Sequence, residues 1–142
     1  MTAGVPRSAA LLGAAGLLPF AAGALAVHGL MPGIGDPVTG YLILQTYGAA
    51  ILAFMGGCLW GFAAQAGRTG WGPFAASVIP GLWAFSSAFS PNALASLLLG
   101  FVVLSALDLT FRGWGLGPAW WLRLRLPLTV GVLVCLGVGL LA

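Results

Sequence analysis

The chain has 142 residues, of which 61% are hydrophobic and only 5% are charged. This composition excludes a water-soluble globular domain, because it leaves too few polar and charged side chains to cover a water-facing surface. We therefore predict an integral membrane protein, whose formal net charge of +3 comes from five arginines and two aspartates, since the sequence contains neither lysine nor glutamate.

Five apolar runs predict five transmembrane helices. Each has about 18 residues or more, which at about 1.5 Å per residue is enough to cross a hydrocarbon core about 30 Å thick. The runs are continuously apolar, whereas the strands of a membrane barrel would alternate. The predicted fold class is an all-α integral membrane protein, a five-transmembrane-helix bundle that forms one domain over residues 1–142, with helices at about 8–27, 41–65, 72–89, 91–109 and 118–141.

The first run has a second interpretation, a secretory signal peptide. Arg7 precedes the apolar stretch, and Ala-Leu-Ala at 24–26 has the small residues of a cleavage site. The apolar stretch is longer than that of an ordinary signal peptide, so we favour a transmembrane helix.

The arginines predict the orientation of the bundle. If five helices cross alternately, the N-terminus shares one side with the connections 65–71 and 110–125. Those segments hold every basic residue, namely Arg7, Arg68, Arg112, Arg123 and Arg125. The excess of positive charge on cytoplasmic segments then predicts a cytoplasmic N-terminus and a C-terminus on the opposite side.

Two of the predicted helix starts involve proline. Ser90 is predicted to cap the fourth helix with Pro91 in its first turn, and Pro118 is predicted to open the last helix. Prolines within or near helical runs predict local kinks, at Pro19, Pro80 and Pro127.

A stripe of small residues capped by amides runs along the second predicted helix at steps of four. Small residues at this spacing let two helix backbones approach closely, and such packing drives association in lipid. The stripe consists of Gln45, Ala49, Ala53, Gly57, Gly61 and Gln65. It predicts helix packing, for which we favour a contact within the monomer over a seam with a second copy or with a partner protein.

Asp108 is the acidic residue predicted at membrane depth. A carboxylate there is costly unless it has a partner. Arg112 lies one helical turn onward, and either Arg123 or Arg125 could reach Asp108 from the last helix, where the two point to nearly opposite faces. We predict an ion pair that ties the fourth helix to the fifth. A proton-sensitive or ligand-binding carboxylate and an exposed interfacial acid are the alternatives.

The sequence offers little for catalysis. Asp36 and Asp108 are predicted at opposite membrane faces, which excludes paired-carboxylate chemistry, and the single histidine, His28, is accompanied by no nucleophile or metal-ligand motif. No phosphate-binding loop or dinucleotide fingerprint is present. We predict a protein that is not an enzyme, with no catalytic residue, metal or cofactor.

Tryptophans and arginines near the cytoplasmic boundary could form a shelf for a lipid head group. Arginine favours bidentate contact with phosphate, and indole rings favour the interface. The candidate residues are Trp60, Trp120, Trp121, Arg123 and Arg125. An interfacial anchor that binds no ligand is the simpler interpretation.

Four blocks of the chain are familiar in this order: PRSAALLGAAGLLPF (6–20), YGAAILAFMGGCLWG (47–61), SVIPGLWAF (77–85) and PAWWLRLRLPLT (118–129). Together they resemble the family called domain of unknown function 3429 over nearly the whole chain. The resemblance implies a small multi-helix protein of bacterial inner membranes and mitochondria, with no established biochemical activity. By position it directs attention to Gly56, Gly57, Trp60, Gly61, Pro80, Arg123, Arg125 and Thr129.

These observations predict a non-enzymatic, multi-pass protein of the bacterial inner membrane that works by helix packing. Its expected role is an accessory subunit or assembly factor of a larger membrane complex, such as a respiratory or photosynthetic one. Expected partners are membrane lipids, including anionic phospholipid, and other integral membrane proteins or a second copy, but no nucleic acid. The alternatives are a small oligomeric transporter or channel built around Asp108, and an anionic-lipid-binding protein.

Overall fold

The computed structural model describes residues 4–142, and within that range the chain is α-helical with no β-strand. The helices are α1 Arg7–Ala15, α2 Leu18–Val27, α3 Pro37–Gln65, α4 Trp71–Ser87, α5 Ala93–Gly113 and α6 Trp121–Leu140. A short turn at 16–17 separates α1 from α2. Backbone hydrogen bonds run into and out of this turn, so the two helices form one apolar stretch of 21 residues.

Among the described residues, four helical stretches are long and apolar enough to cross a membrane, namely Arg7–Val27, Pro37–Gln65, Ala93–Gly113 and Trp121–Leu140. The prediction of an all-helical membrane protein is therefore confirmed, with four spans of the required length. The remaining predicted span, at about 72–89, corresponds to α4, which has only 17 residues. At about 1.5 Å per residue it is about 25 Å long, the lower limit for a transmembrane helix.

The second apolar run begins its helix earlier than predicted, at Pro37 instead of Tyr41. Asp36 caps this helix, because its Oδ1 accepts a hydrogen bond from the Val38 backbone N–H at 3.0 Å. Pro37 then occupies the first turn, where its missing N–H costs no helical hydrogen bond. The extra turn lengthens α3 to 29 residues.

The cap of α5 is Asn92, so the prediction of Ser90 as the cap is wrong. The Asn92 Oδ1 atom accepts from the Ala95 backbone N–H at 3.1 Å. The Ser90 hydroxyl instead accepts from the Asn92 N–H at 3.3 Å in the turn that precedes the helix. Ser90 and Asn92 are both good capping residues, and this turn uses them in succession.

The last helix begins three residues later than predicted, at Trp121 instead of Pro118. The Trp121 N–H donates to the Pro118 carbonyl at 3.1 Å within a turn that leads into the helix. Pro19 lies in the first turn of α2, directly after the break between α1 and α2. Pro80 and Pro127 lie inside α4 and α6, where each removes a backbone donor from the helix.

Successive helices pack side by side in opposite directions. The Trp60 ring near the end of α3 packs edge-on against Phe74 near the start of α4, with ring centroids 4.7 Å apart. Near the end of α4, Trp83 Nε1 donates to the Ser96 carbonyl near the start of α5 at 2.8 Å. α4 therefore runs antiparallel to both of its neighbours in the chain.

This arrangement brings all five arginines to one end of the bundle, the arginine end, which carries Arg7, Arg68, Arg112, Arg123 and Arg125. There Arg68 Nη2, in the loop after α3, donates to the Trp114 carbonyl after α5 at 2.7 Å. At the opposite end His28 Nε2 donates to the Val138 carbonyl of α6 at 2.9 Å. These two bonds tie loops and helix ends together on either side of the bundle.

α3 is the central helix and packs against α2, α4, α5 and α6. Its buried face alternates small and large residues, namely Gly40, Leu44, Gly48, Leu52, Gly56, Leu59 and Ala63. The glycines let neighbouring backbones come close: a Cβ added to Gly40 would press on the backbone of Ala26 and Val27 in α2, and one added to Gly56 would lie 2.8 Å from the Ser77 carbonyl oxygen of α4. Close packing of this kind stabilises helix bundles in lipid.

Candidate functional site: a buried ion pair beside an apolar cavity

A buried polar cluster joins α5 to α6 near the arginine end. Asp108 Oδ2 accepts from Arg125 Nε at 3.3 Å, and Asp108 Oδ1 accepts from Trp121 Nε1 at 2.9 Å. The side chains of Arg125 and Asp108 are only 4% and 2% exposed. Both donors come from one face of α6, since they are four residues apart, so a single carboxylate can bind both.

Trp121 is held on more than one side. Its ring packs edge-on against Phe62 of α3, with centroids 4.8 Å apart, while its N–H is bonded to Asp108. The Arg125 guanidinium carbon lies 6.0 Å from the centroid of the Trp121 ring, at the outer limit of a cation–π contact. The indole therefore connects α3 to the ion pair between α5 and α6.

The guanidinium of Arg125 is only partly satisfied. Its Nη2 nitrogen is buried and has no hydrogen-bond partner among residues 4–142. A guanidinium has five N–H donors, and the carboxylate of Asp108 accepts from Nε. A donor without an acceptor is costly where no water is available, so this nitrogen has much to gain from a further acceptor.

Of the three arginines predicted as partners of Asp108, Arg125 is the one buried with it. The side chains of Arg112 and Arg123 are exposed at the arginine end. Arg123 precedes Arg125 by two positions, about 200° around the helix, so only one of the two can face α5. The predicted tie between two helices thus joins α5 to α6 through Arg125.

The small-residue stripe of α3 lies outside the core, so the favoured prediction of packing within the monomer is wrong for most of it. Ala53, Gly57, Gly61 and Gln65 are exposed, and Gln45 and Ala49 are only half-buried. A Cβ added to Gly57 or Gly61 would meet nothing within 4 Å. The glycines that pack within the bundle are one position away, at 40, 48 and 56.

The predicted lipid shelf is not one continuous surface. Trp60 packs on Phe74 of α4 and is 48% exposed. Trp121 packs on Phe62, two residues further along α3 and therefore on nearly the opposite side of that helix from Trp60. Arg125 is buried beneath this surface, which leaves the half-buried Trp120 and the exposed Arg123 at the boundary.

Two cavities lie on either side of the ion pair. One, of about 400 Å³, lies between α1, α3 and α6 and has Trp121 and Arg125 on its wall. The other, of about 260 Å³, lies at the arginine end and has Asp108, Arg112 and Trp121 on its wall. Because Trp121 lines both, its indole ring stands between a cavity at membrane depth and one at the membrane boundary.

The remaining titratable residues are dispersed. Within the described residues no three side chains of histidine, cysteine, aspartate or glutamate come close enough together to hold a metal ion. His28 bonds to the end of α6, and Asp36 caps the start of α3, both at the end of the bundle away from Asp108.

From the sequence, Trp121 is predicted on the lipid shelf, and its bond to Asp108 is not predicted. A signal was present, because Trp121 precedes Arg125 by four residues and must share its helix face. The cavity beside Arg125 had no comparable signal, since its wall is drawn from three stretches of the chain, 9–20, 47–58 and 121–132, that are far apart in sequence.

The fold and this site define a multi-pass, all-helical membrane protein with an ion pair inside the bundle. The chain belongs to the family described as protein of unknown function DUF3429, whose model matches residues 5–141. It is 32% identical to Transmembrane protein 69 of Xenopus tropicalis, over 88% of this chain and 50% of that protein, so the chain spans about half the length of this relative. No solved structure matches the chain.

The residues to which the family resemblance directs attention fall into two groups. Gly56, Pro80, Arg125 and Thr129 are buried. The first two meet at the crossing of α3 and α4, where a Cβ added to Gly56 would lie 3.2 Å from the Pro80 Cβ. Gly57, Trp60, Gly61 and Arg123 are exposed instead. The family blocks therefore contribute to the core and also to the outer surface of the bundle.

Proposed function

We propose that this protein is a non-enzymatic accessory subunit or assembly factor of a larger membrane complex, and that it binds its partner through an outward face of α3 and α4. We call this surface the α3/α4 face, and it consists of Ala53, Gly57, Trp60, Gly61 and Gly81. The partner surface that it fits is a transmembrane helix of another protein.

The observation that carries this proposal is the open space above three glycines of that face. A Cβ added to Gly57, Gly61 or Gly81 would meet nothing within 4 Å. The groove between α3 and α4 has a volume of about 360 Å³ and is bordered by the bulky side chains of Trp60 and Leu82. A groove with a backbone floor lets a second helix approach closely, which is the main source of association energy in lipid.

Leucine side chains in place of the glycines would fill the space that a partner helix needs, and they are expected to release the partner. We expect a tagged Gly57→Leu/Gly61→Leu variant, extracted in mild detergent, to capture about tenfold less of the partner found with the wild-type protein, because one lost close contact is worth about 1.4 kcal/mol. Quantitative mass spectrometry of the captured proteins provides the measurement. Gly137→Leu on α6 is the matched control, since a Cβ there also meets nothing within 4 Å.

Three outcomes contradict the proposed role. Equal capture of the partner by the double variant and by the control would show that the α3/α4 face does not contact the partner. Recovery of only a second copy of this chain would indicate self-association instead of an accessory role. Purification of the wild-type protein alone, together with intact membrane complexes in a deletion strain, would exclude the role altogether.

We also propose that the chain crosses the bacterial inner membrane five times, with the arginine end in the cytoplasm. Support comes from α4, which lies antiparallel between α3 and α5, and from the placement of all five arginines at one end. An odd number of spans puts the two termini on opposite sides. We therefore expect a C-terminal alkaline phosphatase fusion to be active and a C-terminal green fluorescent protein fusion to be dark.

The same two reporters placed after residue 67 provide the control for this topology, because that loop lies at the arginine end. There the fluorescent fusion should be bright and the phosphatase fusion inactive. A bright C-terminal fluorescent fusion would instead indicate four spans, with α4 failing to cross.

A further inference from the structure

The cavity between α1, α3 and α6 is a second candidate site, distinct from the α3/α4 face. It has a volume of about 400 Å³, within the range of small-molecule sites. Leu12 and Phe54 line it and are 74% and 62% exposed, so the cavity is open toward the lipid side of the bundle. A ligand would therefore enter from the bilayer.

The wall of this cavity is apolar and rich in aromatic rings, with Phe20, Tyr47, Phe54 and Trp121 among its residues. The Tyr47 hydroxyl already donates to the Gly16 carbonyl at 2.9 Å, and the Trp121 N–H already donates to Asp108. Flat, polarisable rings are favourable neighbours for a flat ring in a ligand. The Tyr47 hydroxyl and the Trp121 N–H, in contrast, already have partners within the protein and are not available as donors to a ligand.

Arg125 lines the same cavity and supplies a donor that is not committed. Its Nη2 nitrogen has no hydrogen-bond partner among residues 4–142, while Nε is bonded to Asp108. Neighbouring side chains cover Nη2, so binding of a ligand atom to it requires the guanidinium to turn toward the cavity. The ligand must then present an acceptor on an otherwise apolar body.

The charge at this point favours an uncharged acceptor. Arg125 and Asp108 already neutralise each other at 3.3 Å. A carboxylate or phosphate bound to Nη2 would add an unbalanced negative charge beside Asp108 in a medium that solvates charge poorly. A carbonyl oxygen would satisfy the donor without adding charge.

We propose that this cavity binds a lipid-soluble cyclic carbonyl compound of the quinone type, with one ring carbonyl accepting a hydrogen bond from Arg125 Nη2. The ring lies among the aromatic side chains, and its apolar tail leaves between Leu12 and Phe54 into the bilayer. Trp121, which both lines the cavity and bonds Asp108, links the bound ring to the contact between α5 and α6.

The probe for this site is decylubiquinone, added to the purified full chain in detergent, with quenching of tryptophan fluorescence as the measurement. Trp121 on the cavity wall should report binding as saturable quenching. Decylbenzene, which has a similar apolar tail but no carbonyl, is the competitor. Decylbenzene does not carry the quenching quinone ring, so displacement restores fluorescence. We expect at least a tenfold excess of decylbenzene over decylubiquinone to be needed for half recovery, since a hydrogen bond to a charged donor contributes about that factor.

Two variants separate the cavity from the hydrogen bond. Ala9→Phe places a ring in the cavity without touching the ion pair, and it is expected to abolish saturable quenching. Ala14→Phe, an exposed position of the same helix outside the cavity wall, is the matched control and should bind like the wild type. Asp108→Asn/Arg125→Gln removes the guanidinium without leaving a buried charge and is expected to weaken binding about tenfold.

Several results would overturn the proposal. They are the absence of saturable quenching in the wild type, equal displacement by decylbenzene, and undiminished binding by Ala9→Phe or by the double variant. Native mass spectrometry provides one more: a co-purified phospholipid that Ala9→Phe loses and decylubiquinone does not displace would assign the cavity to an acyl chain. None of these results depends on capture of a protein partner, so this site and the α3/α4 face stand or fall separately.

Discussion

Asp108→Ala is expected to destabilise the bundle by about 3–5 kcal/mol. The substitution leaves the Arg125 guanidinium buried without its counter-charge and removes the acceptor of the Trp121 N–H. Both effects act on the contact between α5 and α6. The measurement is the apparent melting temperature of the detergent-extracted protein, followed by fluorescence-detected size-exclusion chromatography, together with its abundance in the membrane.

Two further variants test whether the ion pair is the cause. Asp108→Asn/Arg125→Gln replaces two charges with two amides that can bond each other, and it should recover most of the lost stability. Asp36→Ala removes the other aspartate, an exposed helix cap, and should cost only about 1 kcal/mol. If Asp108→Ala left abundance unchanged but abolished an ion flux across the membrane, the pair would belong to a transport pathway.

The ion pair itself could largely be predicted from the sequence. A carboxylate at membrane depth needs a partner, and few cations were within reach of Asp108. The helical repeat showed that Arg123 and Arg125 cannot both face α5, but it could not say which one does. That choice depends on how α6 is rotated in the bundle, which its packing against α5, α2 and α1 determines.

The rotation of α3 about its own axis was the feature least predictable from the sequence. In a soluble protein the polar face of a helix marks the outside, whereas in a bilayer the lipid-facing side is as apolar as the core. α3 carries small residues at 40, 48 and 56 and again at 49, 53, 57 and 61, only one position apart. Both series satisfy the spacing rule, and only the tertiary structure shows that the first is buried and most of the second is exposed.

The helix ends were more predictable than the helix faces. Asp36, Pro37 and Asn92 are ordinary capping signals, and at the start of α5 two such signals, Ser90 and Asn92, compete. The cavity beside Arg125 could not be predicted at all. It exists because α1, α3 and α6 leave a gap between their side chains, and a gap has no residue pattern of its own.

The rotation of α3 can be measured with two alanines. Gly40→Ala is expected to destabilise the protein by about 3 kcal/mol, because the new Cβ would lie 2.7 Å from the Ala26 carbonyl carbon and would also press on the Val27 nitrogen. These are backbone atoms of α2, so they cannot turn away as a flexible side chain would. Gly57→Ala should change stability by less than about 0.5 kcal/mol, since its Cβ meets nothing.

The two variants make the same chemical change in the same helix, so differences in backbone entropy and helix propensity largely cancel between them. What remains in the difference of their apparent melting temperatures is the closeness of the neighbouring helix. Equal losses of stability for Gly40→Ala and Gly57→Ala would mean that the two glycine series are buried alike. A greater loss for Gly57→Ala would mean that α3 is rotated so that the face around Gly57 is the buried one. A large loss for Gly40→Ala alone would leave the face around Gly57 free for a partner helix.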